Sequence, residues 1–159
     1  MSPRETMLHP LDIDHIVLRV RDPAASIAFY CDVLGCAIER RRDDLGLVHL
    51  RAGRALIDLV ALDGKLGRAG GAAPGAEARN VDHFCLRVAH FEPEALLAHL
   101  HRAGVAASAP ETRFGAEGNG PSVYVTDPDG NVVELKGPAE RVDTTNAQSG
   151  SDSNSANGR

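Results

Sequence analysis

From residue 14 the chain alternates polar and apolar positions through Asp14-His15-Ile16-Val17-Leu18-Arg19-Val20. Asp82-His83-Phe84-Cys85-Leu86-Arg87-Val88 repeats that stretch with five identities in seven positions. A period of two puts Ile16, Leu18 and Val20 on one face of a strand and His15, Val17 and Arg19 on the other. The repeat separates Phe84, Leu86 and Val88 from His83, Cys85 and Arg87 in the same way. Each copy leads into a helix. Asp22 is a suitable N-cap, Pro23 fits the first helical position, Ile27, Tyr30 and Leu34 keep helical spacing, and Gly35 ends the run, which predicts a helix over 23–34. Pro93 opens the second helix, with Leu96, Leu97, Leu100 and Ala103 as its apolar face and Gly104 as its stop. Strands are then expected near 36–42, 46–52 and 55–61, and again near 105–109, 120–126 and 131–136. The turn Asp127-Pro128-Asp129-Gly130-Asn131 joins the last two.

This pattern predicts an α+β fold of two βαβββ modules, 12–62 and 81–137, forming a cup-shaped mixed sheet with helices on its outer face. Residues 1–11 read as an N-terminal extension. The Gly-, Ala- and Arg-rich stretch 63–80, with Pro74, reads as a linker. Residues 138–159 hold Val142 as their one large apolar side chain, too little to offset the entropy of ordering, and are expected to be a disordered tail.

Composition narrows the function. Of 159 residues 43% are hydrophobic but only 4% aromatic, with no Trp, which argues against an aromatic-lined carbohydrate or single-strand nucleic-acid surface. A net charge of −5 supplies no basic field for phosphate backbones, so a small-molecule partner is expected and a nucleic acid is not. Cys31, Cys36 and Cys85 form no C-x-x-C pair, which suits reduced thiols in the cytoplasm. No apolar run is long enough for a signal peptide core or a membrane span.

The chemistry sits on the polar strand faces. Each half contributes one His and one Arg on its opening strand, and one acid, Asp58 or Glu134, on its closing strand. Two imidazoles and two carboxylates, His15, Asp58, His83 and Glu134, suit a divalent metal ion such as Zn²⁺, Ni²⁺, Co²⁺, Mn²⁺ or Fe²⁺ with positions open for substrate. His49 lies mid-strand with Leu47 and Arg51 on its face, either in a solvated position or as a second layer around the metal or a substrate contact. His9, His90, His99 and His101 read as ordinary surface or helix-end residues.

With a His and an acid in each half, Phe29-Tyr30-Cys31-Asp32-Val33-Leu34-Gly35 after the first strand, and Asp127-Pro128-Asp129-Gly130-Asn131-Val132-Val133-Glu134-Leu135 at the end, the chain resembles the vicinal oxygen chelate superfamily over about 12–137. Within it the first module is most similar to glyoxalase I. That resemblance implies a metal held by His15, Asp58, His83 and Glu134, Arg19 as a contact to a glutathione-type thiol adduct, Glu134 as the base that moves a proton between adjacent carbons, and a metal-stabilised enediolate. Asp58 stands where glyoxalase I has Glu, one methylene shorter, which withdraws the carboxylate by roughly 1.5 Å. The stretch 110–118 is similar to a loop of small glyoxalase-like proteins and offers Arg113 to a substrate anion, as Arg87 does from the second opening strand.

The superfamily supplies two further readings. One is an extradiol dioxygenase or thiol transferase using His15, His83 and Glu134 alone; the other is a non-enzymatic drug-binding protein of bleomycin-resistance type. Exposed strand edges and a shallow core point to a homodimer, with the metal site within one chain or across the interface.

Overall fold

The computed structural model describes residue 8 and residues 10–141; His9 and 142–159, most of the expected tail, lie outside them. The first module opens with β1 (His15–Val20) and a helix α1 (Pro23–Ile27) that continues as a π-helical turn over Ala28–Val33. Three strands follow, β2 (Ala37–Arg42), β3 (Leu47–Ala52) and β4 (Ala55–Ala61). After a short helix α2 (Lys65–Ala69), the second module runs through β5 (His83–Arg87), α3 (Pro93–Arg102), β6 (Glu111–Gly115), β7 (Gly118–Thr126) and β8 (Val132–Lys136). The result is two four-stranded mixed sheets, ordered β1-β4-β3-β2 and β5-β8-β7-β6, each opening strand running parallel to the closing strand of its module.

Local chemistry explains most boundaries. Asp22 accepts from the Ala25 N–H at 3.1 Å and Pro23 occupies the first turn, as expected of a capped helix start. The expected α-helix over 23–34 instead widens to π geometry: Leu34 N–H donates to Phe29 O at 3.1 Å and Cys36 N–H to Tyr30 O at 2.8 Å, with Gly35 at φ +81° closing the segment. The strand expected at 105–109 is reduced to a single bridge, Ala107 to Val125. The segment 110–118, expected as a loop, contains β6, paired from Glu111↔Ser122 to Gly115↔Gly118. The first residues of the expected tail are tied down, since Glu140 N–H donates to Asn119 O at 2.7 Å.

The apolar faces share one core. Leu18, Val20, Val48, Leu50, Ile57 and Leu59 of the first sheet meet Val123, Val125, Val133 and Leu135 of the second, with Phe29, Tyr30 and Leu100 from the helical segments. The modules are fastened by polar contacts at the rim of that core. Tyr30 donates to Asp127 Oδ2 at 2.6 Å, Arg21 to Asp129 Oδ1 at 3.2 Å, and His99 Nε2 lies 2.7 Å from Val33 O. The polar strand faces remain outside the cluster. Among the described residues no helix is long and apolar enough to cross a membrane.

Candidate metal centre

On the first sheet, register aligns Val17, Asp58 and His49 across β1, β4 and β3, so their side chains rise on one face, flanked by His15 and Arg19. Asp58 is buried, 6% exposed, and its Oδ1 lies 2.7 Å from His49 Nδ1. His49, expected as a secondary or substrate contact, is therefore the immediate partner of Asp58. His15 is turned differently: its Nδ1 is held at 2.6 Å by Asp14, which raises its pKa above the ordinary 6.5, opposed by desolvation and assisted by the charge of Asp58.

The second sheet repeats the arrangement with a longer acid. Cys85, Glu134 and Tyr124 align across β5, β8 and β7. Glu134, 6% exposed, accepts from Ser122 Oγ at 2.6 Å on one oxygen, and its other oxygen lies 3.2 Å from His83 Nε2. His83 Nδ1 is held at 2.7 Å by Asp82, and that hydrogen bond is the main cause of its raised pKa, with the Glu134 charge adding to it. The Tyr124 ring meets His83 edge-on at 5.5 Å. Desolvation, then the Glu134 charge, pushes the Cys85 thiol up to about 11, so it stays protonated beside the acid at neutral pH.

The candidate anion contacts are all engaged within the chain. Arg113, on β6 instead of a loop, pairs with Glu111 and sits 6.0 Å over the Tyr124 ring, which brings it to the Glu134 face. Arg87 pairs with Glu117 at 2.5 Å. Arg19 donates to the carbonyls of Gly67, Gly71 and Ala72.

Three participants escaped the sequence reading. Ser122 holds Glu134. Lys136 lies two residues beyond Glu134 on the same face, is buried, and gives its ammonium to Gly120 O at 3.0 Å and to Arg113 O. Its stem crosses the lane left by Gly115, where a Cβ would meet Lys136 Cε at 2.7 Å. Asp14 and Asp82 form the third case. They were visible as the invariant first letter of the repeat, and in both copies the acid seizes Nδ1 of the next residue. With Nδ1 given to the acid, Nε2 is the nitrogen that would face a metal ion, the usual office of a carboxylate behind a metal-bound imidazole.

His83 Nε2 and Glu134 Oε2 fit a divalent ion, because two donors about 2.1 Å from one metal lie roughly 3 Å apart. Of the four expected donors the structure brings His83 and Glu134 into contact, while Asp58 meets His49 and His15 meets Asp14. Among the described residues no group of three or more His, Cys, Asp or Glu side chains is arranged to hold a metal ion.

Comparison with known proteins agrees with this architecture. Residues 12–135 match the family model described as the Glyoxalase/Bleomycin resistance protein/Dioxygenase superfamily. A virulence protein from Salmonella typhimurium shares 26% identity, covering 83% of this chain and 100% of its own, with a TM-score of 0.64. An integron cassette protein from the mobile metagenome of V. Pseudocholerae shares 26% identity over 85% of this chain and 100% of its own, with a TM-score of 0.65. Lactoylglutathione lyase from Agrobacterium tumefaciens, 24% identical over 80% of this chain and 94% of its own with a TM-score of 0.58, shares the fold. No curated protein matches.

Proposed function

Because this chain belongs to the glyoxalase/bleomycin resistance protein/dioxygenase superfamily, we propose that it is a metal-dependent, glyoxalase I-like lyase or isomerase acting on a small oxygenated substrate or thiol adduct. One observation carries the reading: in both repeats an Asp holds Nδ1 of the following His, at 2.6 Å in Asp14–His15 and 2.7 Å in Asp82–His83. Each imidazole then presents Nε2 to the polar face where its module keeps a buried acid. The donor set is completed when the His15–Asp58 face of one chain meets the His83–Glu134 face of a second copy, in a homodimer.

A bound divalent ion, one of Zn²⁺, Ni²⁺, Co²⁺, Mn²⁺ or Fe²⁺, supplies Lewis acidity to substrate oxygens. The residues do the rest. Glu134, oriented by Ser122, takes a proton from one carbon and returns it to its neighbour. Arg87 and Arg113 exchange their exposed acid partners for anionic ends of the substrate.

The contact between Asp58 and His49 favours a second reading, in which His15, His83 and Glu134 alone ligate the metal, as in an extradiol dioxygenase or thiol transferase. Metal content per chain, measured by plasma mass spectrometry, tests the centre: near-stoichiometric metal in the wild type is expected to be lost in His83→Ala and Glu134→Ala. Wild-type protein that takes up none of the five ions would leave a binding protein on this scaffold.

A further inference from the structure

Arg19 belongs to the polar face of the first sheet, yet its guanidinium is spent on the segment between modules. Nη2 donates to Gly67 O at 2.8 Å and to Gly71 O at 2.6 Å, and Nη1 to Ala72 O at 3.1 Å. Among the described residues no carboxylate pairs with it, and its Nε is buried with no hydrogen-bond partner. The reason lies at Gly70, whose backbone lies over that edge: a Cβ there would stand 2.6 Å from Nε and 2.7 Å from Cζ. The segment therefore supplies neutral acceptors to the two terminal nitrogens and covers the third with a methylene. An oxyanion would engage a guanidinium through two parallel charge-assisted bonds, about twice as strong as neutral ones, and would satisfy the orphaned donor.

The rest of the segment is held just as lightly. Residues 68–80 are exposed throughout, and their anchors beyond Arg19 are again cations on carbonyls or the reverse, Arg21 to Pro74 O at 2.5 Å and Arg79 to Gly130 O. One end is fixed. Gly67 is buried, with a Cβ position 1.9 Å from Ala61 O, so it cannot be replaced easily, whereas the exposed run begins at Arg68 and turns at Gly71, at φ +78°.

We propose that residues 68–72 are a strap occupying the oxyanion position of Arg19, and that a carboxylate or phosphate group of the ligand displaces it on entering the face of the first sheet. The inference rests on reading that face as the ligand face. It adds a gate: the strap closes the position when no anion is present, and Arg19 exchanges the carbonyls of Gly71 and Ala72 for one charged acceptor when the ligand arrives.

Timed digestion of the full chain with trypsin tests this, with cleavage after Arg68 located by mass spectrometry in chloride, inorganic phosphate or succinate at matched ionic strength. Cleavage there requires the strap to leave the surface, while cleavage after Lys136, buried in β8, reports global unfolding in the same digest. The wild type is expected to be cut slowly after Arg68 in chloride and at least about tenfold faster with the oxyanion the site accepts. Phosphate alone or succinate alone being effective would assign the ligand group. Arg19→Gln is expected to be cut fast in all three solutions. Gly70→Ala, which keeps the guanidinium but pushes the strap off it, is expected to behave likewise, and it decides the matter if Arg19→Gln unfolds. A wild type indifferent to both oxyanions, or variants cut at the wild-type rate, would overturn the strap. No metal enters this digest, so its failure is separable from failure of the metal centre.

Discussion

Asp58 is the residue at which the two proposed metal centres differ. Its carboxylate is buried and already faces His49 at 2.7 Å, one methylene short of the glutamate that glyoxalase I carries there. Four-donor ligation predicts that Asp58→Ala lowers metal affinity by at least about tenfold in chelator competition. Unchanged affinity would assign Asp58 to orienting His49 and support the three-donor centre. Ser122 bears on the other carboxylate. Its hydroxyl is the donor to one oxygen of Glu134, so Ser122→Ala leaves a buried acid oxygen without that partner. Metal affinity is expected to fall about 10–100-fold with the fold intact, since outer partners of ligands carry effects of that size. Of these residues Glu134 and His83 were legible from the alternation alone. Ser122 was not, because a serine on a strand next to Gly and Pro carries no pattern until its cross-strand neighbours are known.

At the scale of elements the hairpin turn Asp127–Asn131 does more than join β7 to β8. Asp127 accepts from the backbone of Asp129 and Asn131 and from the Asn131 side chain, and its Oδ2 takes the buried Tyr30 hydroxyl from the π-helical turn of the other module. Burial first, then the Asp127 charge, raise the Tyr30 pKa well above its ordinary 10.0. Tyr30→Phe is expected to cost about 1.5–3 kcal/mol of stability in urea denaturation, the range for a hydrogen bond to a charged acceptor. The folded state holds the phenol proton where the unfolded chain releases it. Stability contributed by Tyr30 is therefore complete below pH 10.0 and lost as pH rises beyond it, and the variant should lack that part of the alkaline decline. Helix caps and the turn were readable because they depend on a few adjacent residues. The position of β6 was not: Val105-Ala106-Ala107 alternates no worse than Glu111–Gly115, and pairing with β7 selected the latter.

For the whole molecule, the described residues bring His83 to Glu134 at 3.2 Å and Asp58 to His49 at 2.7 Å, and no group of three or more His, Cys, Asp or Glu among them is arranged to hold a metal ion. Mixing tests whether a second copy completes the donor set. One chain carries His15→Ala with Asp58→Ala, the other His83→Ala with Glu134→Ala. After dissociation and reassembly about a quarter of the wild-type metal content is expected, because half of randomly formed dimers are mixed and each mixed dimer regains one of two sites. A site built within one chain would regain nothing.

The sequence by itself determined the duplication, the two-module α+β class, the polar and apolar face of each strand, and the presence of one imidazole and one carboxylate per half. All of these follow from the period of a strand and from residues close together in the chain. Tertiary structure alone decided the partners: His49 for Asp58, Ser122 for Glu134, Gly67, Gly71 and Ala72 for Arg19, and the approach of His83 to Glu134. Those contacts depend on strand register and on how two sheets share one core. Both are set by the summed packing of residues far apart in sequence, and no local pattern encodes them.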